Sequence, residues 1–216
     1  INDFFDIEKF PGKRGVHTWG NGIVEMALYA SGVAIPDIYD VLDTQEGQDM
    51  VFAKLDTIKD HVVFWSSGAK PLDLINSGEV SMSLAYNGRI GGAVLADGAD
   101  YVTVWDGQVL EEEWLVLMNG APNRAAAIHF LIHASSTQAQ ADQAHWINYA
   151  PMRPSALPIM AANEPWFNPG LATEANIMEH MPTTDEHMKG GILANPDWWA
   201  DNGQAVNDRY AAWMAN

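Results

Sequence analysis

Residues 13–32, KRGVHTWGNGIVEMALYASG, decide how the chain is read. Lys13 to Trp19 is a short strand candidate, and Gly20-Asn21-Gly22 is a turn. Ile23, Val24, Met26, Ala27, Leu28 and Ala30 then form an apolar-periodic run that stops at Gly32. Strand, glycine turn and helix in direct succession predict an α/β protein, in which strands and helices alternate.

The pattern continues outward. Residues 1–12 are aromatic and acidic and end in the turn signal Pro11-Gly12. Downstream, helices are predicted over Glu46–His61, with Met50, Val51, Leu55 and Ile58 on one face, and over Pro71–Ser77. Val80–Tyr86 alternates as a strand does, and Asn87-Gly88 opens a helix through Leu95. Tyr101–Trp105 and Trp114–Met118 read as strands, and Arg124–Ala134 as a helix. Ser136-Thr137 caps a further helix reaching Trp146. Five prolines in residues 150–170 (Pro151, Pro154, Pro158, Pro165, Pro169) predict loop and crossover, and Asn202–Met214 a closing helix.

Composition bounds the function. The 216 residues carry 11 basic and 28 acidic side chains, a net charge of −17. Such a surface repels phosphate backbones and anionic headgroups, so neither nucleic acid nor direct membrane insertion is expected. There are no cysteines, which removes disulfides, thiolate metal sites and cysteine nucleophiles. No stretch reaches the roughly 18 apolar residues of a membrane span. The sequence opens at Ile1 without a basic or apolar leader, so a segment upstream is expected, processed away or part of a longer protein.

Local motifs for chemistry are weak. His129 and His133 share a helix face, but Phe130 stands where a zinc protease needs glutamate, and the neighbours are packing residues. Asp43–Asp49 has its oxygens at the wrong positions for a calcium loop. Gly20-Asn21-Gly22 offers unpaired N–H groups at a helix N-terminus, where an anionic ligand group docks, or serves tight strand–helix packing. It is no dinucleotide fingerprint, because Glu25 stands where a third glycine belongs. Glu111-Glu112-Glu113 is a solvated charge run or a set of carboxylates aimed into a cleft. Nine tryptophans and six tyrosines supply walls for apolar or cationic ligands as well as core. No nucleophile–base pair, metal set or cofactor motif emerges, so no enzyme, metal or cofactor is expected.

Five blocks taken in order carry a resemblance: Asp3–Asp6 with Lys9–Arg14, Glu25–Leu28 with Gly32-Val33, Ser77–Val80, Tyr86–Ile90, and Gly120–Asn123 with its following helix. Their order and spacing resemble the spermidine/putrescine-type periplasmic solute-binding proteins of ABC transporters. The resemblance holds from residue 1 to about 160 and continues more loosely through Trp198-Trp199. It implies an α/β, bilobal, periplasmic-binding-protein-like fold that hinges on its ligand, one lobe nearly complete here and the other partial. Residues 1–106 and 165–216 would form the second lobe and 108–157 part of the first, with crossovers near 107 and 158–164. The family's N-terminal segment has no counterpart, which would leave Trp114–Met118 and Arg124–Ala134 without partners and with apolar residues exposed.

The resemblance also implies a site. The family's carboxylates at the strand–helix turn fall here on Trp19 and Gly22, within Thr18-Trp19-Gly20-Asn21-Gly22. The cleft aromatic before Asn-Gly is Tyr86, followed by Asn87. The amine-gripping acid falls at Glu113, Glu111 replaces an aromatic, and a late polar residue falls near Trp199. One acid retained and the turn's pair lost implies a solute with a single amine, held by Glu113 against Tyr86 and Trp19. Its other end would meet the Gly20–Gly22 helix terminus. Polyamine, amino-acid-like and opine-like solutes, ABC permease subunits as partners and a periplasmic location all follow from the resemblance. A stand-alone interaction domain with a vestigial cleft is the alternative.

Overall fold

The computed structural model describes residues 1–162 and 176–215. In chain order they form α1 (Asn2–Phe5), β1 (Arg14–His17), α2 (Ile23–Ala30), α3 (Ile38–Leu42) and α4 (Gln45–Asp56). Next come β2 (Val62–Trp65), α5 (Lys70–Asn76), β3 (Met82–Ser83), α6 (Asn87–Asp97) and β4 (Val109–Leu110). The remainder is α7 (Arg124–Ala134), α8 (Thr137–Ala144), α9 (Leu157–Ala162), β5 (Ile192–Leu193) and α10 (Pro196–Ala215). The class is α/β, as the sequence predicts.

The chain groups into two units. The first holds residues 1–86, 104–111 and 187–216, and the second 87–103 and 112–186. In the first, β1 is central in a parallel sheet of order β2-β1-β3, with Arg14 opposite both Val62 and Met82. All four β1 residues are buried, as a strand covered on both faces requires. Ile23, Val24, Ala27 and Leu28 form the inner stripe of α2 and pack with Val51, Leu55 and Ile58. Val206, Tyr210 and Trp213 from α10 complete the same core, and the Tyr210 hydroxyl donates to the His17 carbonyl at 3.0 Å. A second parallel pair joins β4 to β5, with Val109 opposite Ile192.

The α3–α4 corner depends on Gly47. A Cβ there would lie 1.9 Å from the Val41 carbonyl oxygen, a backbone atom that no rotamer change can move. Thr44 caps α4 by accepting from the Gly47 N–H. Gly47→Ala is expected to cost about 2 kcal/mol through overpacking. A denaturant midpoint unchanged from wild type would contradict this.

The second unit has a small core of Ala141, Ala144, Ala156, Met160, Ile177 and Met181. Ser136 caps α8 by accepting from the Ala139 N–H, as expected. Residues 87–103 belong here because Asn87 and Asn148 bond reciprocally: each side-chain amide donates to the other's carbonyl, at 2.6 and 3.2 Å. Helix α7 buries none of its residues, and Phe130 and Ile132 are exposed.

Several expected boundaries change. The helix predicted to His61 ends at Asp56, and the continuous apolar run Val62–Trp65, which lacks alternation, is β2. The closing helix starts at Pro196 rather than Asn202, because Asn195 accepts from the Trp198 N–H and proline suits a first turn. Residues 157–162, expected as loop and crossover, are helical; Pro165 and Pro169 lie outside the described residues.

Tyr101–Trp105 and Trp114–Met118 are not strands among the described residues. A strand is defined by its ladder, and neither segment has one. Val102, Val104, Trp114, Leu115, Val116 and Met118 are exposed instead.

Candidate functional site

The glycine turn after β1 gathers most of the expected site residues of the first unit. Trp19 is half-buried, and its ring lies parallel to the His17 imidazole with centroids 4.5 Å apart. Trp65 meets both rings edge-on, at 5.3 Å from Trp19 and 5.4 Å from His17, and reaches Tyr86 at 6.3 Å. Trp199 approaches the turn from α10; its ring would touch a Cβ at Gly20 at 3.7 Å. Trp19, Gly20, Gly22 and Trp199 are thus one neighbourhood, joined to the exposed Tyr86 through Trp65. Asn21 sits half-buried in the turn.

Two residues that the sequence reading passed over organise this neighbourhood. His17 is almost fully buried, and its Nδ1 lies 2.6 Å from the Trp19 carbonyl oxygen. Burial lowers its pKa to about 4, against the opposing pull of that hydrogen bond, so the ring is neutral at physiological pH. Glu25 is fully buried. Its carboxylate accepts from the Gly22 N–H at 2.8 Å, the Tyr39 hydroxyl at 2.9 Å and the Trp199 indole N–H at 2.7 Å. Burial raises its pKa while these donors draw it back. Tyr39 in turn accepts from the Asn195 N–H at 2.8 Å. The sequence signal for Glu25 was present, as an acid at the third position after the N-cap glycine is a capping pattern.

The expected anion-docking role of the turn meets an obstacle here. The Gly20 N–H donates to Asn207 at 2.7 Å, and the Gly22 N–H to Glu25. A solute anion at these donors would have to displace a carboxylate already bound.

The second unit holds the charged groups. The Tyr149 ring covers the first turn of α6; a Cβ at Gly88 would lie 2.6 Å from it. The Tyr149 hydroxyl feels both the Glu113 carboxylate and the Arg89 guanidinium. Burial raises its pKa, Glu113 raises it further, and Arg89 lowers it. An acid, a base and a phenol therefore share one locality, all on exposed residues. Asn87 serves the scaffold there, its amide engaged with Asn148. Glu111 is exposed and directly follows β4 in the first unit, so Glu111 and Glu113 fall in different units. His129 and His133 both lie exposed on α7. Sequence reasoning quoted Arg89 without giving it a role, and it missed Tyr149.

Among the described residues no helix is long and apolar enough to cross a membrane. A model of the bacterial extracellular solute-binding protein family matches residues 1–173. The gamma-aminobutyric acid-binding protein of Pseudomonas aeruginosa is 34% identical over 213 residues, 99% of this chain and 56% of that protein. Two solved structures are similar over 99% of this chain and 62% of theirs. The binding protein MotA of A. tumefaciens B6, in complex with glucopine, has 29% identity and a TM-score of 0.78. An ABC transporter substrate-binding protein of Bradyrhizobium japonicum has 31% identity and a TM-score of 0.82. The chain thus spans less than two thirds of the length of each of these relatives.

Proposed function

The chain belongs to the bacterial extracellular solute-binding proteins, and from that premise we propose that it is part of a periplasmic receptor that hands a small amine-containing solute to an ABC permease. The observation that carries the solute class is Tyr149, whose ring packs on Gly88 next to Arg89 in the chain and whose hydroxyl is acted on by the opposite charges of Glu113 and Arg89. An acid and a guanidinium that both act on one phenol suit a zwitterion: Glu113 takes the ammonium, Arg89 the carboxylate, and the Tyr149 hydroxyl accepts from the first or donates to the second. A buried ammonium requires such a partner, because an unpaired charge out of water is costly. Within the family this favours an amino-acid-like or opine-like solute over a polyamine, which needs acids at both ends. The relatives named for gamma-aminobutyric acid and glucopine support the same choice. On the first unit, Trp19, Tyr86 and Trp199 are proposed as aromatic ligand contacts, with Gly20, Asn21 and Gly22 shaping the turn that carries Trp19; on the second, Asn87 shapes the backbone two residues before Arg89. Glu111 is proposed as a rim charge.

Thermal melting of the complete gene product with γ-aminobutyrate, putrescine and spermidine tests the reading. A bound solute at about 100 times its Kd adds about 2.7 kcal/mol to stability. The expected result is stabilisation by γ-aminobutyrate and none by the polyamines. Glu113→Gln and Arg89→Gln should each weaken binding about tenfold, the loss of one charge-assisted hydrogen bond to the solute. Stabilisation by putrescine or spermidine alone would end the single-amine reading. Melting that depends on protein concentration and on no solute would favour the interaction-domain alternative.

A further inference from the structure

The sequence contains four Asn-Gly pairs: Asn21-Gly22, Asn87-Gly88, Asn119-Gly120 and Asn202-Gly203. Such a pair carries its own reaction, because glycine has no Cβ to keep its backbone nitrogen away from the preceding side-chain amide. Attack needs a free glycine N–H, a free asparagine amide and a backbone able to bring the two into contact. Three of the pairs fail these conditions. The Gly22 N–H donates to Glu25 Oε2 at 2.8 Å. The Asn87 amide donates to the Asn148 carbonyl at 2.6 Å, and Gly88 is buried beneath the Tyr149 ring. Asn202 and Gly203 lie inside α10, where the Asn202 amide donates to the Trp198 carbonyl at 3.1 Å and Gly203 is buried.

Asn119-Gly120 meets all three. Both residues are exposed, at the centre of a turn that the Ala121 N–H closes on the Met118 carbonyl at 3.2 Å. Among the described residues neither the Asn119 amide nor the Gly120 N–H has a hydrogen-bond partner. Gly120 has φ +77°, and a Cβ there would meet no atom within 4 Å, so no neighbour braces the turn from that side. We propose that Asn119 is a modification site, converted by spontaneous deamidation to aspartate and isoaspartate while the other three Asn-Gly pairs are protected by the fold. The Gly120 nitrogen gives up its proton and attacks Asn119 Cγ. The new N–Cγ bond closes a five-membered succinimide, and the Cγ–Nδ2 bond breaks to release ammonia. Water then opens one of the two ring carbonyls, leaving aspartate or, with the main chain rerouted through Cγ, isoaspartate. Either product adds one negative charge to a chain already at −17, outside the residues proposed to hold the solute.

Peptide mass mapping tests this directly, because the four pairs fall on four different tryptic peptides. The complete gene product is aged in warm, mildly alkaline buffer, folded and in parallel in concentrated urea. In the folded protein the peptide holding Asn119 should gain one mass unit at least about tenfold faster than the other three, whose reaction must wait for local opening. In urea the four rates should converge. Isoaspartate should be the major product, which separates succinimide closure from direct hydrolysis of the amide. Asn119→Gln, whose longer side chain disfavours the five-membered ring, should leave that peptide unmodified. Loss at position 21, 87 or 202 as fast as at 119 in the folded protein would overturn the proposal. So would an Asn119 that stays intact when folded yet reacts in urea. None of these outcomes depends on solute binding, so the receptor reading stands or falls separately.

Discussion

Arg14→Met is expected to destabilise the first unit by about 4 kcal/mol, among the largest effects of any single substitution in it. Arg14 is fully buried at the start of β1, yet no carboxylate oxygen is bonded to its guanidinium. Its Nε donates to the Phe4 carbonyl at 2.7 Å and its Nη1 to the Gly12 carbonyl at 2.8 Å. Its Nη2 donates to the Asp6 and Phe10 carbonyls at 3.3 and 2.7 Å. These carbonyls belong to the end of α1 and the loop behind it, segments with no ladder of their own to satisfy them. Methionine fills similar space but leaves the buried Phe4 carbonyl and the part-buried Gly12 and Phe10 carbonyls without this donor, each a penalty of about 1–3 kcal/mol partly relieved by water, while the Asp6 carbonyl keeps the Phe10 N–H. Lysine, with one ammonium and no planar fork, should recover less than half of the loss. Urea unfolding of wild type, Arg14→Met and Arg14→Lys measures this. A midpoint for Arg14→Met that implies less than 1 kcal/mol would refute the account.

That arrangement also marks where the sequence stopped being legible. The periodicity of residues 23–30 and the Ser136 cap announced α2 and α8 because helix patterning and capping are local physics. Strands are a different matter, since a strand exists only with its neighbour. Val62–Trp65 pairs with β1 and is β2; Tyr101–Trp105, with the better alternating pattern, has no ladder and is not a strand. No rule acting within a window of residues separates the two. The site divides in the same way. The aromatic members Trp19, Tyr86 and Trp199 were legible through residue type and order. His17 and Trp65, and the burial of Glu25 beyond its capping pattern, became recognisable only when α10 and β2 were in place, because burial of an acid or an imidazole is a property of what surrounds it. Arg89 and Tyr149 are 60 positions apart in a chain with few cations, and nothing local connects them.

Acidification should reveal His17. Its pKa falls from 6.5 in the unfolded chain to about 4 in the folded protein, chiefly through burial. A depressed folded-state value means that the stability it confers is complete above about pH 6.5 and is lost as the pH falls toward about 4. A gap of roughly two and a half pH units corresponds to about 3 kcal/mol. Glu25 acts in the opposite sense, since a raised carboxyl pKa contributes stability that declines as pH rises past the ordinary carboxylate range. The comparison that isolates His17 is therefore wild type against His17→Asn, whose amide can still donate to the Trp19 carbonyl. Denaturation free energies at pH 4 and pH 7 should differ by about 3 kcal/mol more in the wild type than in the variant. Equal pH dependence of the two proteins would show that the imidazole titrates freely.

The hydroxyl of Tyr210 on the carbonyl of His17 has a consequence for how the molecule is made. The central strand β1 and the helix α10 that seals it lie far apart in the sequence. Val16 and Val206 are 190 positions apart, and that stretch must be synthesised before the two can meet. Synthesis at roughly 5–20 residues per second makes that interval about ten seconds or more. During it the apolar faces of β1 and α2 lack their final cover. Contacts so distant in sequence also slow the folding search itself. A unit built this way stays unfinished until α10 has been made, a state open to capture by holding factors.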